Sequence, residues 1–369
     1  MKRILLASTA LVAMAGAASA DIAWSGDATL GYNDTNRPTD YSGNPASTSD
    51  NHYGFYWSAN IHVDLSKQLD NGITAGATFD LGATGSTFSV TSTSAYLQNF
   101  TVYLKSDMAS LYFGDTSTAA QMHWKSAGDM EADSFTTDWT DSAAEAVIRG
   151  DVKYGGVNAS ISYLYDTNDR QLHQLSIGAD GTVGQFSFSV AYQADANSWY
   201  GSSGDYHPDE IFGISGSTTF SGATVTVAYA KDNTDGRQST GIKLAYPVGP
   251  VTATVYYVAE SGGMNTDPNY GVNLAYKSGP VAVTLDYQND QGTNKTALDG
   301  SYDIGNGLMV YAGYYAQDSW DDSYYLAGTY DLGGGASLLV SYATGGSDDD
   351  AYGPNDYQQG TTVEVNFKF

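Results

Sequence analysis

Between Asp21 and Phe369 apolar and polar residues exchange places at every second position, in stretches of about ten residues separated by tight turns rich in Gly, Asn or Pro. A period of two belongs to the β-strand, so each stretch carries one apolar and one polar face. The first, Ile22 to Asn33, separates Ile22, Trp24, Ala28, Leu30 and Tyr32 from Ser25, Asp27, Thr29 and Asn33. The second, Tyr53 to Lys67, sets Phe55, Trp57, Ala59, Ile61, Val63 and Leu65 against Ser58, Asn60, His62 and Asp64. The last sends Val363, Val365, Phe367 and Phe369 one way and Thr362, Glu364, Asn366 and Lys368 the other.

Successive stretches are joined as hairpins by turns at Leu69 to Gly72, Ser106 to Ala109, Tyr154 to Gly156, Asp180 to Gly184, Ser221-Gly222, Pro247 to Pro250, Ser278 to Pro280, Gly305 to Gly307 and Gly333 to Gly335. Two strands per turn and one at each terminus predict about 20 antiparallel strands, or about 16 to 18 should weak stretches such as the hairpin at Asp107 merge. The connections on the opposite side are expected to be longer and polar: Asp34 to Asn51, Gly82 to Tyr96, Asp115 to Glu145, Ala194 to Asp209, Glu260 to Asn269 and Gly345 to Gln358. A strand of this length, at about 3.3 Å per residue and a tilt near 45°, spans about 23 Å, the height of a hydrocarbon band. A soluble sandwich would leave the full apolar face of every strand as one large patch in water. The pattern therefore predicts an all-β fold, a closed transmembrane antiparallel β-barrel with lipid outside and a polar lumen, as one domain over residues 21–369.

Lys2-Arg3, the apolar run Ile4 to Ala17 and Ala18-Ser19-Ala20 read as an export signal over residues 1–20, too short for a membrane anchor, with the mature chain starting at Asp21. The chain has no cysteine, so no disulfide supports it outside the cell. Hydrophobic content of 41% and a mean hydropathy of −0.30 resemble those of a soluble protein because half of every strand is polar. The 42 Gly suit turns and close strand approach, and the 30 Tyr suit strands and interfacial belts. A net charge of −26, from 41 acidic and 15 basic residues, excludes nucleic acid as a partner and favours cations in a lumen, while an acidic loop surface also suits solubility or divalent-cation bridging.

One connection stands apart. Asp115 to Glu145 carries Met122, Trp124, Met130, Phe135 and Trp139 among the acids Asp115, Asp129, Glu131, Asp133, Asp138, Asp141 and Glu145. A surface loop this long is uncommon, and its large apolar side chains need a surface to bury against, so it is predicted to fold into the barrel and present carboxylates to the opening. The strand that follows puts Arg149, Asp151 and Lys153 on the polar face, with Lys105, Lys243, Lys277, Lys295 and Lys368 at inward parity elsewhere. Acids facing bases across a narrowing would set a transverse field there; alternatively Arg149 and Lys153 pair with inward acids such as Asp151.

Other constellations carry less. The histidines at 52, 62, 123, 173 and 207 lack metal-ligand spacing, and no Ser-His-Asp arrangement can be chosen around His62, so neither a metal centre nor a hydrolase is expected. Asp232 to Gly236 and Asp348-Asp349-Asp350 are candidate surface calcium sites, though a solvated loop suits them better and neither matches the calcium-loop pattern. Gly333-Gly334-Gly335 has no following helix and is a turn, not a phosphate cradle. Tyr103, Tyr112, Tyr256, Tyr311, Tyr315 and Tyr325 fall at inward parity, either as an aromatic track for sugars or, as preferred, as part of the interfacial belts.

The export signal, the opening Asp21-Ile22-Ala23-Trp24-Ser25-Gly26-Asp27-Ala28, the long third connection, the turn Tyr330-Asp331-Leu332-Gly333-Gly334-Gly335-Ala336-Ser337 and the end Val365-Asn366-Phe367-Lys368-Phe369 resemble the general-diffusion porins of Gram-negative outer membranes, in particular those of alphaproteobacteria. The resemblance covers the whole mature chain. It implies a homotrimer in the outer membrane, in contact with the lipid bilayer and outer-leaflet lipopolysaccharide, with a constriction built by the third connection. It also implies passive diffusion of ions and small hydrophilic solutes, no covalent chemistry, no cofactor, and Phe369 as an assembly signal read by the barrel-assembly machinery. That family usually has about sixteen strands, so the count departs from it, and its basic cluster opposite the third loop maps here only onto Arg149 and Lys153. The acid excess adds a weak cation preference. The other readings are a substrate-specific sugar or nutrient channel and a structural or adhesive barrel with a blocked lumen. A plugged transporter or an autotransporter is not expected, because strand one begins close to the mature N-terminus.

Overall fold

The structure, a computed structural model, describes residues 21–34, 54–86, 94–136, 145–166, 170–196, 207–344 and 357–369. The export signal at 1–20, and Asp138, Trp139, Asp141 and Asp348-Asp349-Asp350, lie outside the described residues.

The strands are β1 (Asp21–Asn33), β2 (Gly54–Gln68), β3 (Thr74–Ser86), β4 (Ser94–Lys105), β5 (Ala109–Gly114), β6 (Glu145–Tyr154) and β7 (Val157–Asp166). There follow β8 (Gln171–Val183), β9 (Phe186–Gln193), β10 (Ile211–Phe220), β11 (Ala223–Asp232), β12 (Gln238–Val248), β13 (Val251–Ser261) and β14 (Asn269–Ser278). The ring is completed by β15 (Val281–Asp290), β16 (Thr293–Gly305), β17 (Leu308–Gln317), β18 (Ser323–Gly333), β19 (Ala336–Ala343) and β20 (Gly360–Lys368). Each pairs antiparallel with its sequence neighbours, and β20 pairs back onto β1, so the 20-stranded sheet closes and no edge is left to aggregate. The weak hairpin at Asp107 is present, with a six-residue β5. One short helix, α1 (Ala119–His123), lies in the connection after β5. No helix among the described residues is long and apolar enough to cross a membrane; the strands take that role.

The pairing register carries a single parity round the ring. Thr29 of β1 faces Ser58 of β2, which faces Thr84 of β3, and on the other side Asn366 of β20, all on the polar side. The opposite parity exposes Trp24, Leu97 and Val227 to the outside, each at least half exposed. Outward Tyr270, Tyr314, Tyr324 and Tyr342 near one set of strand ends, and Tyr154, Tyr246, Tyr276, Tyr302 and Tyr330 near the other, form two aromatic belts with the apolar band between them. Every Asp and Glu on a strand whose side chain is described falls at inward parity, whereas the only outward strand lysines, Lys67 and Lys231, sit close to strand ends where a long side chain reaches water.

The turns follow backbone stereochemistry. Ser221-Gly222 has φ of 50° and 84° and Asn306-Gly307 has 54° and 83°, the two positive values that a two-residue hairpin with the twist of its strands requires. The opposite rim corrects one expectation. Alongside the predicted long connections it carries short ones, and Gln291-Gly292 between β15 and β16, at φ 46° and 93°, is as tight as any turn at the other end. Its Asn and Asp flanks look like loop composition, but Asn289 and Asn294 hydrogen-bond each other across the hairpin at 2.8 Å and keep the pairing going.

Candidate functional site

The segment after β5 enters the barrel and lies against its inner wall. Arg149, only 5% exposed, clamps the entry: its guanidinium donates to the Thr116 hydroxyl at 2.9 Å, the Ser117 carbonyl at 2.5 Å and Asp151 at 2.9 Å, and lies 4.7 Å from the Tyr112 ring centre. Thr118 then caps α1 by accepting from the Gln121 backbone N–H. The first two helical N–H groups, which no helix can satisfy itself, donate to wall serines: Ala119 to Ser162 at 2.9 Å and Ala120 to Ser176 at 2.7 Å. His123 is buried, bonded to Asp180 through Nδ1 and to Ser160 through Nε2 at 2.7 Å, and its carbonyl accepts from Ser189 at 2.6 Å.

From α1 the segment crosses strand after strand. The Trp124 ring covers β10, the Ser126 carbonyl accepts from Lys243 at 3.1 Å, and Ala127 lies directly on Gly241 of β12. At the far end Asn269 of β14 donates to the Asp129 carbonyl at 3.0 Å and to the Glu131 carboxylate at 3.1 Å, and Glu260 of β13 accepts from the Glu131 N–H. There the chain doubles back. Ala132 donates to Ser239, and Thr136 returns to β8 and β9 by bonding Gln174 and Gln193. The Thr118 hydroxyl donates to the Thr136 carbonyl at 2.9 Å and closes the base of the ribbon, while Trp124 and Phe135 pack across its limbs at 5.6 Å. The burial expected for Trp124, Met130 and Phe135 is thus against Ala191, Ile211, Ala228, Ala230 and Val258 of the wall, whereas Met122, expected to bury with them, is exposed on α1.

Charges distribute unevenly over this ribbon. Asp133 lies between the limbs, its carboxylate accepting from the Trp124 indole at 2.8 Å. Burial, with the charges of Asp129, Glu260 and Glu131 nearby, pushes its carboxyl up to about 7 against the opposing Trp124 bond. Asp115 sits at the entry, its backbone N–H bonded to Phe100 and its carbonyl to Thr101. Asp129 and Glu131 thus come together at β13 and β14, with Asp133 behind them on Trp124, some seven to eight strands round the ring from Arg149, Asp151 and Lys153 on β6. Glu145 is the first residue of β6. Beside Arg149 stand Tyr112, Tyr103 and Lys105, whose ammonium lies 3.8 Å from the Tyr103 ring centre.

The wall left uncovered by the ribbon among the described residues, β1 to β4 and β15 to β20, with Tyr357 packed over Tyr325 on β18, carries carboxylates held by neutral donors. Tyr103 donates to Asp64 at 3.2 Å, Tyr325 to Asp299 at 2.6 Å, Asn273 to Asp286 at 3.0 Å, and Tyr56 to Glu364. This corrects the preferred belt reading of the inward tyrosines. Tyr103 and Tyr325 lie flat over Gly76 and Gly313 of the adjacent strand, inside the barrel, and the belts are built from other tyrosines. On the opposite rim, Arg237 sits among Asp232 at 2.8 Å, Asp235 at 3.4 Å and Asp209 at 4.0 Å, so in the Asp232 to Gly236 turn a guanidinium occupies the place a calcium ion would take.

A family profile described as Gram-negative porin matches residues 7–350. The chain belongs to that family. Porins are channel proteins of the outer membrane, not enzymes, and a closed barrel with a polar lumen partly filled by an infolded segment is the architecture such a channel needs. No curated protein sequence matches this porin. Among solved structures, three mutants of the porin of Rhodopseudomonas blastica, each with three substitutions, share its fold, with TM-scores of 0.51, 0.50 and 0.50 at 18%, 17% and 17% identity. Each alignment covers 76% of this chain and 98% of the neighbour. The sequence reading missed Ser162, Ser176, Ser189, Ser239 and Asn269, which fix the ribbon to the wall. Nothing distinguishes these residues from other inward polar positions.

Proposed function

We propose that this porin passes small hydrophilic solutes without chemical change and conducts cations in preference to anions. The observation that carries the reading is the bonding of the uncovered wall. Asp64, Asp286, Asp299 and Glu364 are fixed by Tyr and Asn side chains, which orient a carboxylate without cancelling its charge. Inward bases are fewer, and two of them are engaged by inward acids, Arg149 with Asp151 at 2.9 Å and Lys295 with Asp290 at 3.4 Å. The test is the reversal potential across a planar bilayer under a KCl gradient; a potential of the sign set by chloride permeation refutes the cation preference.

The narrowest passage in this reading runs between the ribbon and the wall from β17 through β1 to β6. Asp115, Asp129 and Glu131 contribute on the ribbon side, and Asp151 and Lys153 on the wall. Arg149 and Asp133 act from within the packing, and Asp138, Asp141 and Glu145 belong to the same segment by sequence. A sugar-selective channel is the second reading, favoured by the packed inward cluster of Tyr311, Tyr315, Tyr325 and Tyr357. Concentration-dependent block of the potassium current by one sugar would support it.

Three further elements complete the proposal. Strands β3 to β5 carry no outward Tyr or Trp, and Ala75, Ala77, Ala83, Ala95 and Ala109 occupy outward positions there. The break in the interfacial anchors and the small residues support a homotrimer associating through this flank, testable by cross-linking at Ala95→Cys. The Phe369 N–H donates to Gly26 at 2.8 Å while its ring is exposed, which supports a role as assembly signal for the barrel-assembly machinery. Export with cleavage after Ala20, and contact with lipopolysaccharide through divalent cations at acidic loops, complete the outer-membrane setting.

A further inference from the structure

On the uncovered wall one basic side chain is held in a way the rest are not. His62 of β2 lies between two carboxylates from the flanking strands: Nε2 is 2.9 Å from Asp27 Oδ1 on β1, and Nδ1 is 2.7 Å from Asp80 Oδ1 on β3. The remaining oxygens are engaged too, Asp27 Oδ2 by Asn60 at 2.9 Å and Asp80 Oδ2 by Asn99 at 2.6 Å. Both aspartates are thereby fixed in place whatever the ring does. The imidazole side chain is 44% exposed, and its parity is that of the lumen.

An ionised carboxylate only accepts, so holding both at once needs an N–H on each ring nitrogen, which is the cationic form. A neutral imidazole has one N–H and one lone pair. It can keep one aspartate, and its lone pair then faces the oxygen of the other at under 3 Å, a repulsive contact that must open. The charged groups facing this set are Lys368 of β20, opposite Asp27 in the register, and Asp64 of β2, held by Tyr103 of β4. Neither replaces the proton on the ring.

We infer that His62 is a titratable selectivity residue of the channel. When charged it cancels one of the two flanking carboxylates; when neutral it leaves both Asp27 and Asp80 to attract cations from the lumen. The inference deepens the cation preference proposed above and rests on it. It adds that this preference has a pH-dependent component traceable to one side chain.

The experiment is the potassium-to-chloride permeability ratio, from reversal potentials under a low-salt KCl gradient, of the full chain in planar bilayers between pH 5 and 9. In the wild type the ratio is expected to climb by roughly twofold through a single step as the pH rises, the size being largest at low ionic strength where the lumen field is least screened. His62→Gln is neutral throughout and is expected to sit at the high-pH ratio across the range. His62→Arg is cationic throughout and is expected to stay at the low-pH ratio. Heat-modified gel mobility and unitary conductance in molar KCl, where charge effects are screened, identify a variant that has failed to fold. The pair brackets the wild type, so either variant alone still reports. Should both variants keep the wild-type step, His62 is not its source and the inference is overturned. Chloride preference in all three proteins at every pH sinks the parent reading instead, and a step that follows His62 remains visible as a change in that ratio.

Discussion

The ribbon's position depends on the absence of a side chain at two points of the wall, and adding one there moves a known piece of the pore by a calculable amount. A Cβ on Gly178 would meet the Ala119 carbonyl oxygen at 2.3 Å and His123 Cδ2 at 2.8 Å, where ordinary contact begins at 3.4 Å. Neither atom is the far end of a flexible chain, since Ala119 is backbone at the start of α1 and His123 is held on two sides. Gly178→Ala must therefore lift α1 by about 1 Å. At that displacement the 2.7 Å and 2.9 Å bonds from Ala120 and Ala119 to the wall serines stretch beyond hydrogen-bond reach. Overpacking of this kind costs about 1–3 kcal/mol and each lost bond about 1 kcal/mol more. Gly241→Ala does the same under the far half of the ribbon, where the new Cβ would stand 2.5 Å from the Ala127 carbonyl oxygen.

The lift is directed away from the wall and so into the lumen. Both variants are expected to show a lower unitary conductance with more frequent sub-level flicker in planar bilayers, and an earlier thermal transition by circular dichroism. Gly150→Ala is the control: the same substitution on β6, at outward parity with nothing within 4 Å of the added carbon, is expected to behave as wild type. If Gly178→Ala and Gly241→Ala both match Gly150→Ala in conductance and melting, the ribbon does not rest on these two points and the packing argument is wrong.

Asp133 gives a pH test of the same ribbon. Its carboxyl is pushed from 3.8 up to about 7, so between those values the unfolded chain has already released the proton that the folded one keeps. Stability is greatest below the lower value, falls as pH rises towards the upper one and is constant beyond it. Asp133→Asn keeps an acceptor for Trp124 and removes the slope. Its thermal transition at pH 8 is expected to exceed that of wild type, by as much as about 4 kcal/mol in free energy, with little difference at pH 4; an equal pH dependence in both proteins would contradict this. Arg149→Ala strips the clamp from Thr116, Ser117 and Asp151, leaves a part-buried carboxylate without its partner, and is expected to cost about 3 kcal/mol in chemical denaturation and to make the current noisy. A loss below about 1 kcal/mol would show that the clamp is not structural. Removing Phe369 breaks the two backbone bonds to Gly26 that end the β20 to β1 seam, and a reduced yield of heat-modifiable barrel in membranes is the expected readout.

The barrel was legible in the sequence because lipid and lumen impose the same alternation on every strand, and nine tight turns, eight of them holding Gly, Asn or Pro, counted the hairpins correctly. That a segment folds inside was legible from Trp124, Met130 and Phe135, which no solvated loop would carry. Its route was not. The anchoring groups are Ser162, Ser176, Ser189 and Ser239, inward polar residues like any others, and two of the serines bond backbone N–H groups whose positions only the helix fixes. A usable signal did exist in the inward parity itself. A wetted wall has no reason to put Ala191, Ile211, Ala228, Ala230 and Val258 on its polar side, yet β9, β10, β11 and β13 do so, with Gly241 of β12 between them. An interruption of polarity that persists across neighbouring strands marks a covered patch, and the covering segment is the connection with unburied aromatics.

The same logic separates the total charge from the charge that acts on a permeating ion. A value of −26 counts every loop, and acids beyond about one Debye length from the pore axis are screened. Inside the ring what matters is how each carboxylate is held. Asp232 is fully buried and paired with Arg237, Asp151 is paired with Arg149, and neither adds much net charge to the lumen. Asp64, Asp286, Asp299 and Glu364 are fixed by hydroxyls and amides and keep theirs. Replacing such a donor by phenylalanine should therefore loosen its carboxylate without changing the charge count, whereas Asp299→Asn should change the charge and leave Tyr325 a partner. If selectivity is set by inward charge, Asp299→Asn lowers the cation preference in a reversal-potential measurement and Tyr325→Phe does not. The opposite ranking would place control of selectivity in the packing of the aromatic cluster rather than in the field of the wall.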